Sequence, residues 1–426
     1  MTESFEEDAG AAAAAEAAQA PSHDLQAPRI TIEAFCVTPE FATAVKAAAG
    51  DRRMSKARVT VGMGGADVAA KRYANVLSPD LILVETEQAG FGLFAELEPL
   101  ASVCDENTRV LVVGPSNDVS LYRELIRQGV SEYLVAPCAP MQLIEAIANV
   151  YEEPGASPSG RVVAVYGVKG GVGSSVLAHN IGVLLAEQSD RDTVLVDLDG
   201  EFGTLSLDFN VEVKTSLADA LSDLDGLDDV KLTRLLHAAL PNVKLLTASA
   251  SLAAPSAVTE EAMGLLIDAL RRAGDFVVLD TPQRWTADTC AALRQADEVV
   301  LVATPDLASL RNVKSVFDWL KAERLHDSAP RVVLNQMGAP KRPEIAAKDF
   351  GDILEAEIDL SLPYEPAVFG AAINNGEMLS AVPGGAKIVE KLAPFAEKLS
   401  GRALRKGAER SGGVLGQLIG RLRRQA

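Results

Sequence analysis

The chain has 426 residues and is short of several things at once, and each shortage narrows what it can be. Its four cysteines, Cys36, Cys104, Cys138 and Cys290, lie far apart, with no C-x-x-C and no Cys/His cluster. That spacing argues against structural zinc and against an iron–sulfur cluster, and reads as reduced packing residues of a cytosolic protein. Aromatic residues are only 5% of the chain, so Ala, Val and Leu carry the packing within a 48% hydrophobic content. No run of about 18 strongly apolar residues occurs, so no transmembrane helix is expected. The N-terminus has no basic segment followed by an apolar one, so no secretory signal is expected. Positive charge is scarce as well: 40 Lys and Arg face 59 Asp and Glu, a net charge of -19. Sequence-independent DNA binding needs many Lys/Arg–phosphate contacts, so no nucleic acid partner is expected.

One further absence is more specific. Val165 to Ser175 reads as a strand end, a Gly-rich loop and a helix start, as in a phosphate-binding loop. The ordinary pattern is G-x-x-x-x-G-K-[ST]. Here Val168 stands at the first glycine and Ser174 at the lysine. Lys169 comes five residues before Ser174, directly ahead of Gly170 and Gly171. The loop residues Lys169, Gly170, Gly171, Val172, Gly173, Ser174, Ser175 and Val176 are the candidate nucleotide-binding set. Glycines let successive N–H groups converge on an anion, and the helix start adds partial positive charge. Ser175 sits where a hydroxyl ligates Mg²⁺. ATP and Mg²⁺ are therefore the expected cofactors.

Two apolar strands end in acids. Thr193–Val196 runs into Asp197-Leu198-Asp199, and Phe276–Leu279 runs into Asp280. Carboxylates at the carboxyl ends of parallel strands line the ligand crevice of an open sheet. Mg²⁺ takes one or two such groups alongside water and phosphate oxygens.

The chain divides by composition. Residues 1–28 hold six acids, no Lys or Arg and an Ala run, and are expected to be disordered. Residues 29–150 alternate five strand and five helix signals, a doubly wound α/β domain. The strands are expected at Ile30–Cys36, Arg58–Val61, Leu81–Glu85, Arg109–Val113 and Glu132–Val135. The helices are expected at Pro39–Ala48, Gly65–Asn75, Phe91–Cys104, Val119–Gln128 and Met141–Tyr151. Residues 151–160 read as a Pro/Gly/Ser linker. Residues 161–400 form the second α/β domain, with a mostly parallel sheet. Within it, Leu217 to Leu240 is expected to be helical, either a dimer or partner surface or simply a packed helix pair. Residues 401–426 change sign, with seven basic residues against Glu409, a net +6. Val414, Leu415, Leu418, Ile419 and Leu422 follow helical spacing. This tail reads as an interfacial amphipathic helix for an anionic membrane through residues 412–426. A solubilising end and a helix that docks on a partner are the alternatives.

The motif K-G-G-V-G-S-S at Lys169–Ser175 resembles the deviant Walker A loop of the MinD/ParA (SIMIBI) ATPases. In that family the early lysine, here Lys169, reaches across a homodimer to the partner's phosphates. The family's second lysine is absent. The resemblance assigns Asp199 to orienting the attacking water and Asp197 to the metal shell. It assigns Asp280 to a Mg²⁺-bound water, Asn335 to the adenine base, and Pro363 and Tyr364 to packing on the purine. Catalytic roles thus fall to Lys169 and Asp199, and metal roles to Ser175, Asp197 and Asp280. Hydrolysis is expected to be slow or absent, because Ser174 cannot neutralise charge on the phosphoryl oxygens.

The first domain resembles a response-regulator receiver of flavodoxin-like topology, with its chemistry removed. Glu85 stands at the phosphoacceptor, Cys36-Val37 at the acidic pair, Gly114 at the Thr/Ser and Ala136-Pro137 at the Lys-Pro. The expectation is a pseudo-receiver that docks proteins, or a packing module with no partner of its own. With both domains, the chain resembles the CpaE/TadZ pilus-assembly ATPases. This implies a cytoplasmic localisation factor for a type IVb (Flp/tad) pilus, peripheral at the inner membrane or cell pole, with pilus or secretion machinery as partner. A turnover ATPase that acts as a MinD-like positioning protein and a nucleotide-independent scaffold with a vestigial loop are the alternatives.

Overall fold

The structure is a computed structural model that describes residues 25–105, 107–151, 160–224, 226–248 and 258–401. The acidic stretch up to residue 24, most of the expected linker and the basic tail lie outside these residues.

The first sheet is wholly parallel, ordered β2-β1-β3-β4-β5. Its strands are β1 (Thr31–Cys36), β2 (Arg58–Met63), β3 (Leu81–Glu85), β4 (Arg109–Gly114) and β5 (Glu132–Val135). The crossovers are α1 (Pro39–Ala49), α2 (Ala66–Tyr73), α3 (Leu93–Ala101), α4 (Val119–Arg127) and α5 (Pro140–Tyr151). A parallel sheet is covered on both faces, so its central strands are apolar almost without interruption. Leu81-Ile82-Leu83-Val84 in β3 is such a run, at most 1% exposed. Odd and even residues along these strands feed two apolar layers. Ile32, Ala34, Leu81 and Leu83 pack under α1 and α5. Phe35, Ile82 and Val84 pack under α2, α3 and α4.

The second sheet has eight strands ordered β13-β12-β11-β6-β10-β7-β9-β8. In chain order the elements are β6 (Arg161–Gly167), α6 (Ser174–Ser189), β7 (Thr193–Asp197), α7 (Leu205–Asp208), α8 (Leu217–Ser222), α9 (Asp229–Leu235), β8 (His237–Leu240) and β9 (Val243–Leu246). They continue with α10 (Glu260–Ala273), β10 (Phe276–Thr281), α11 (Ala287–Gln295), β11 (Glu298–Ala303), α12 (Leu307–Glu323) and β12 (Arg331–Met337). The last are α13 (Ala347–Leu354), β13 (Leu360–Pro363), α14 (Pro366–Asn375) and α15 (Ala386–Leu399). All strand pairs are parallel except β8 with β9. The central strand β6 is buried along its whole length, and it delivers the chain to the glycine loop.

One expected element is different. Leu217–Leu240 is not helical throughout: α8 and α9 are short, and His237–Leu240 is the antiparallel edge strand. Residues 237–240 alternate half-buried and exposed, the period of a strand with one face covered. Among the described residues, no helix is long and apolar enough to cross a membrane.

Candidate functional site

The loop between β6 and α6 turns on two glycines with positive φ, Gly171 at 78° and Gly173 at 87°. Gly173 directly precedes the helix, and a Cβ there would stand 2.7 Å from Asn335 Nδ2, so only glycine fits. A side chain at Gly170 or Gly171 would meet nothing, which leaves the backbone of this turn approachable. Val168 and Val172 are buried and pin the loop to the core from both ends. Ser174 and Ser175 are the first two helical residues, and Val176 follows half-buried. The Ser174 hydroxyl points back to the loop: a Cβ on Gly167 would lie 2.6 Å from it.

Lys169 leaves its own loop. Its Nζ is 2.5 Å from Asp306 Oδ2, at the N-cap of α12. Burial opposes charge on Asp306, but Lys169 and the Thr304 hydroxyl outweigh it and hold the carboxyl well below the usual range. No lysine or arginine of the loop therefore stands over the helix start in the single chain.

The carboxylates gather at the ends of β7 and β10. Asp197 and Asp280 are register partners on adjacent strands. Asp197 is fully buried, and its two oxygens accept from Asp199 N and Leu205 N, each at 3.1 Å. Burial, with Asp280 adding, pushes the Asp197 carboxyl up to about 7. Asp280 Oδ1 is buried with no hydrogen-bond partner, while Oδ2 lies 3.5 Å from His179 Nε2. The other ring nitrogen of His179 is 2.7 Å from Asp208 Oδ2. Burial works against a charged His179, yet Asp208 and Asp280 prevail and push it up to about 9. The two acids thus favour the protonated ring. Asp199 is further out, 3.5 Å from Arg284 Nη2, and Arg284 also reaches Glu201 at 2.6 Å.

The structure brings most of the predicted residues to one edge, and it shows what each already touches. Asn335 is buried under the loop rather than reaching out of it. Its Nδ2 donates to Val172 O at 2.8 Å, and its Oδ1 accepts from Gln336 N at 2.8 Å. Gln336 Nε2 in turn donates to Gly171 O at 2.8 Å. Pro363 ends β13, and Tyr364 is partly exposed with the Arg342 guanidinium 6.0 Å from its ring centre. Sequence reading did not single out His179, Asp208, Arg284, Gln336 or Asp306. The only signal for His179 was a titratable residue in the midst of an apolar helix.

The residues fit a magnesium nucleotide on two counts. The loop backbone is open where an anion would approach, and Asp280 Oδ1 is a buried acceptor without a donor, the state a metal-bound water would satisfy. Among the described residues no group of three or more His, Cys, Asp or Glu could hold a metal unaided.

The matching edge of the first sheet is different. Glu85 ends β3, and both oxygens of its carboxylate accept hydrogen bonds. Oε2 accepts from Val37 N at 2.6 Å and Thr38 N at 2.7 Å, and Oε1 accepts from the Thr38 hydroxyl at 2.5 Å. At the end of β4, a Cβ on Gly114 would meet Tyr133 Oη at 2.8 Å. The phenol occupies that space, donating to Ser116 O at 3.0 Å and accepting from Ser116 N at 3.1 Å.

Comparison with known proteins gives two groups of relatives, one for each domain. A family model described as an AAA domain matches residues 160–328. The chain is 28% identical over 232 residues to the septum site-determining protein MinD of Synechocystis sp., covering 51% of this chain and 81% of that one. A ParA family ATPase from Chlorobium tepidum is 22% identical with a TM-score of 0.51, covering 56% of this chain and 98% of that one, a likeness of fold. The pilus assembly protein CpaE of Caulobacter crescentus is 48% identical over 30% of this chain and 98% of that chain, with a TM-score of 0.30.

Proposed function

We propose that the chain, whose N-terminal domain is 48% identical to a CpaE pilus assembly protein and whose second domain is MinD/ParA-like, is an ATP-binding switch for assembly or placement of a type IVb (Flp/tad) pilus. Two observations together carry this reading: the glycine loop that follows β6 is open, and Asp280 on the neighbouring strand β10 keeps a buried oxygen without a partner. In the proposed complex, loop N–H groups from Gly170 to Ser175 hold the phosphates. Ser175 and Asp280 hold Mg²⁺, the latter through water, with Asp197 behind them. Bound Mg²⁺ would supply charge neutralisation at the phosphates. Asp199 orients water once Arg284 yields it. Tyr364 and Pro363 form the purine shelf, and Asn335 offers its remaining amide proton.

Lys169 is the residue this chain has to spare. Released from Asp306, it serves the phosphates of a second copy, which makes the homodimer the ATP-bound state. Turnover is weak, because Ser174 brings no charge to the transferring phosphoryl group. Isothermal titration of the full chain with ATP tests the reading. Binding that needs Mg²⁺ and falls at least about tenfold in Asp280→Ala is expected, a loss of the order of one charge-assisted hydrogen bond. Heat identical with and without Mg²⁺ would contradict it.

The N-terminal domain is the docking module for pilus or secretion machinery. Residues 412–426 add an anionic membrane contact, cytoplasmic in side and peripheral in kind. Removing 412–426 is expected to abolish co-sedimentation with anionic vesicles; undiminished binding would reassign the tail. The nucleotide-independent scaffold has one observation in its favour. Asn335 and Gln336 already tie two loop carbonyls to β12, as a loop without a ligand would be kept in shape.

A further inference from the structure

The two domains meet at the edges away from their candidate sites. A short 3-10 turn, Arg52–Met54, precedes β2 at the amino edge of the first sheet. Its partners Asp297 and Asp327 precede β11 and β12 at the amino edge of the second. Arg52 Nε is 2.7 Å from Asp327 Oδ2, and Arg52 Nη1 is 3.3 Å from Asp297 Oδ1. Arg53 bridges Asp327 to Asp51. From the second domain, Arg324 Nε lies 2.7 Å from Asp327 Oδ2, and Arg271 Nη1 lies 2.6 Å from Asp297 Oδ2. The side chains of Arg52, Arg53, Asp297 and Asp327 are at most 2% exposed.

Four guanidiniums here face three carboxylates, so further acceptors are needed. The carboxyl end of α11 provides them: Arg52 donates to Gln295 O at 3.1 Å and Arg324 to Leu293 O at 3.2 Å. A helix carboxyl end carries partial negative charge, which suits cations. Lys56 adds a pair with Asp268 at 2.5 Å. Asp297 Oδ2 also accepts from Val162 N at 2.8 Å, in the strand that leads to the glycine loop.

Burying such a cluster is costly unless every partner stays in position. A domain that swung freely would expose and re-bury these charges with each excursion. We propose that the two domains form one rigid unit, held back to back by the Arg52/Arg53–Asp297/Asp327 lock. Because the strands of the first sheet and the central strands of the second are parallel, contact between amino edges turns the carboxyl edges away from each other. Glu85 and the glycine loop then stand at opposite ends of the molecule. A protein seated on the Glu85 edge leaves the loop edge open to nucleotide. In the ATP-bound homodimer, a step that rests on the function proposed above, the two N-terminal domains occupy the outer ends and face outward.

The lock is tested on the full chain with a protease recognition sequence inserted within 152–159. After cleavage without nucleotide, the two fragments are expected to co-elute as one species in size exclusion. Asp327→Asn should weaken their association about a hundredfold, because it strands buried guanidiniums. Wild-type fragments that elute apart would overturn the proposal, as would an Asp327→Asn protein whose fragments stay together unchanged. Should that variant not fold, the wild-type cleavage still decides, and Arg52→Gln repeats the test from the other side. None of these readouts involves nucleotide or a dimer, so failure here is distinct from failure of the switch.

Discussion

The two sheets present the same kind of edge to solvent and have done opposite things with it. Each carries an acid at the carboxyl end of a buried central strand, Glu85 as the last residue of β3 and Asp280 as the last but one of β10. Glu85 accepts three hydrogen bonds from Val37 and Thr38, which engage both of its oxygens. Asp280 keeps one buried oxygen without a donor, on the strand next to the one that leads into the open glycine loop. The lesson is that an acid at a strand end is not by itself a site. Its neighbours decide whether its valence is spent on the fold or held for a ligand. The first edge has been closed by the chain's own N–H groups and by a tyrosine. At the second, His179 approaches only one oxygen of Asp280.

That contrast can be broken from the open side first. His179 lies between Asp208 and Asp280 and pairs with them when protonated. Its folded value of about 9 lies above the ordinary 6.5, so the stabilisation is complete below about pH 6.5 and is lost as the pH rises towards 9. Unfolding free energy of the ligand-free protein is expected to fall by up to about 3 kcal/mol across that window. In His179→Gln, denaturant melts at pH 6.5 and 9 should lose most of this difference. An unchanged pH slope in that variant would remove His179 from the account.

The closed side is tested by filling it. Gly114→Ala puts a methyl where the Tyr133 hydroxyl now lies, 2.8 Å from it. Either the ring moves or the strand does, and overpacking of this kind costs about 1–3 kcal/mol. Thermal melts should show the loss, and a melting temperature equal to wild type would mean that the space is not tightly held. The smallest effect is expected at Asp306. The Lys169–Asp306 pair is about one-third exposed, so solvent screens it and its strength is well under 1 kcal/mol. Asp306→Asn should free Lys169 and tighten ATP-dependent dimerisation only a few-fold, read as a lower dimer dissociation constant. Weaker dimerisation would show that Asp306 helps the dimer rather than holding the monomer.

Much of the fold was legible because its signals are local. Leu81–Glu85 reads as a strand from its apolar run, and its bounds match the structure. The Gly-rich turn after Arg161–Tyr166 likewise announced β6 and α6. His237–Leu240 was misread because a four-residue edge strand carries too little periodicity to stand out beside Leu-rich helices. In the site, the glycines and terminal acids could be seen, but their partners could not. Lys169 and Asp306 are 137 residues apart, and nothing local links them. Arg52 and Asp297 are 245 apart and in different domains. His179 was hidden for another reason. On an apolar helix face it reads as packing, and only the arrival of Asp208 and Asp280 from other elements raises its affinity for a proton.

The central claim is that an altered loop still works as an ATP-dependent switch with Lys169 acting on a second copy. Sedimentation velocity of the full chain without nucleotide, with Mg-ADP and with Mg-ATP, for wild type and Lys169→Ala, tests it most directly. The account predicts a dimer for wild type in Mg-ATP alone and a monomer for Lys169→Ala in all three. The same species in every condition, or a Lys169→Ala protein that dimerises with Mg-ATP as wild type does, would contradict it.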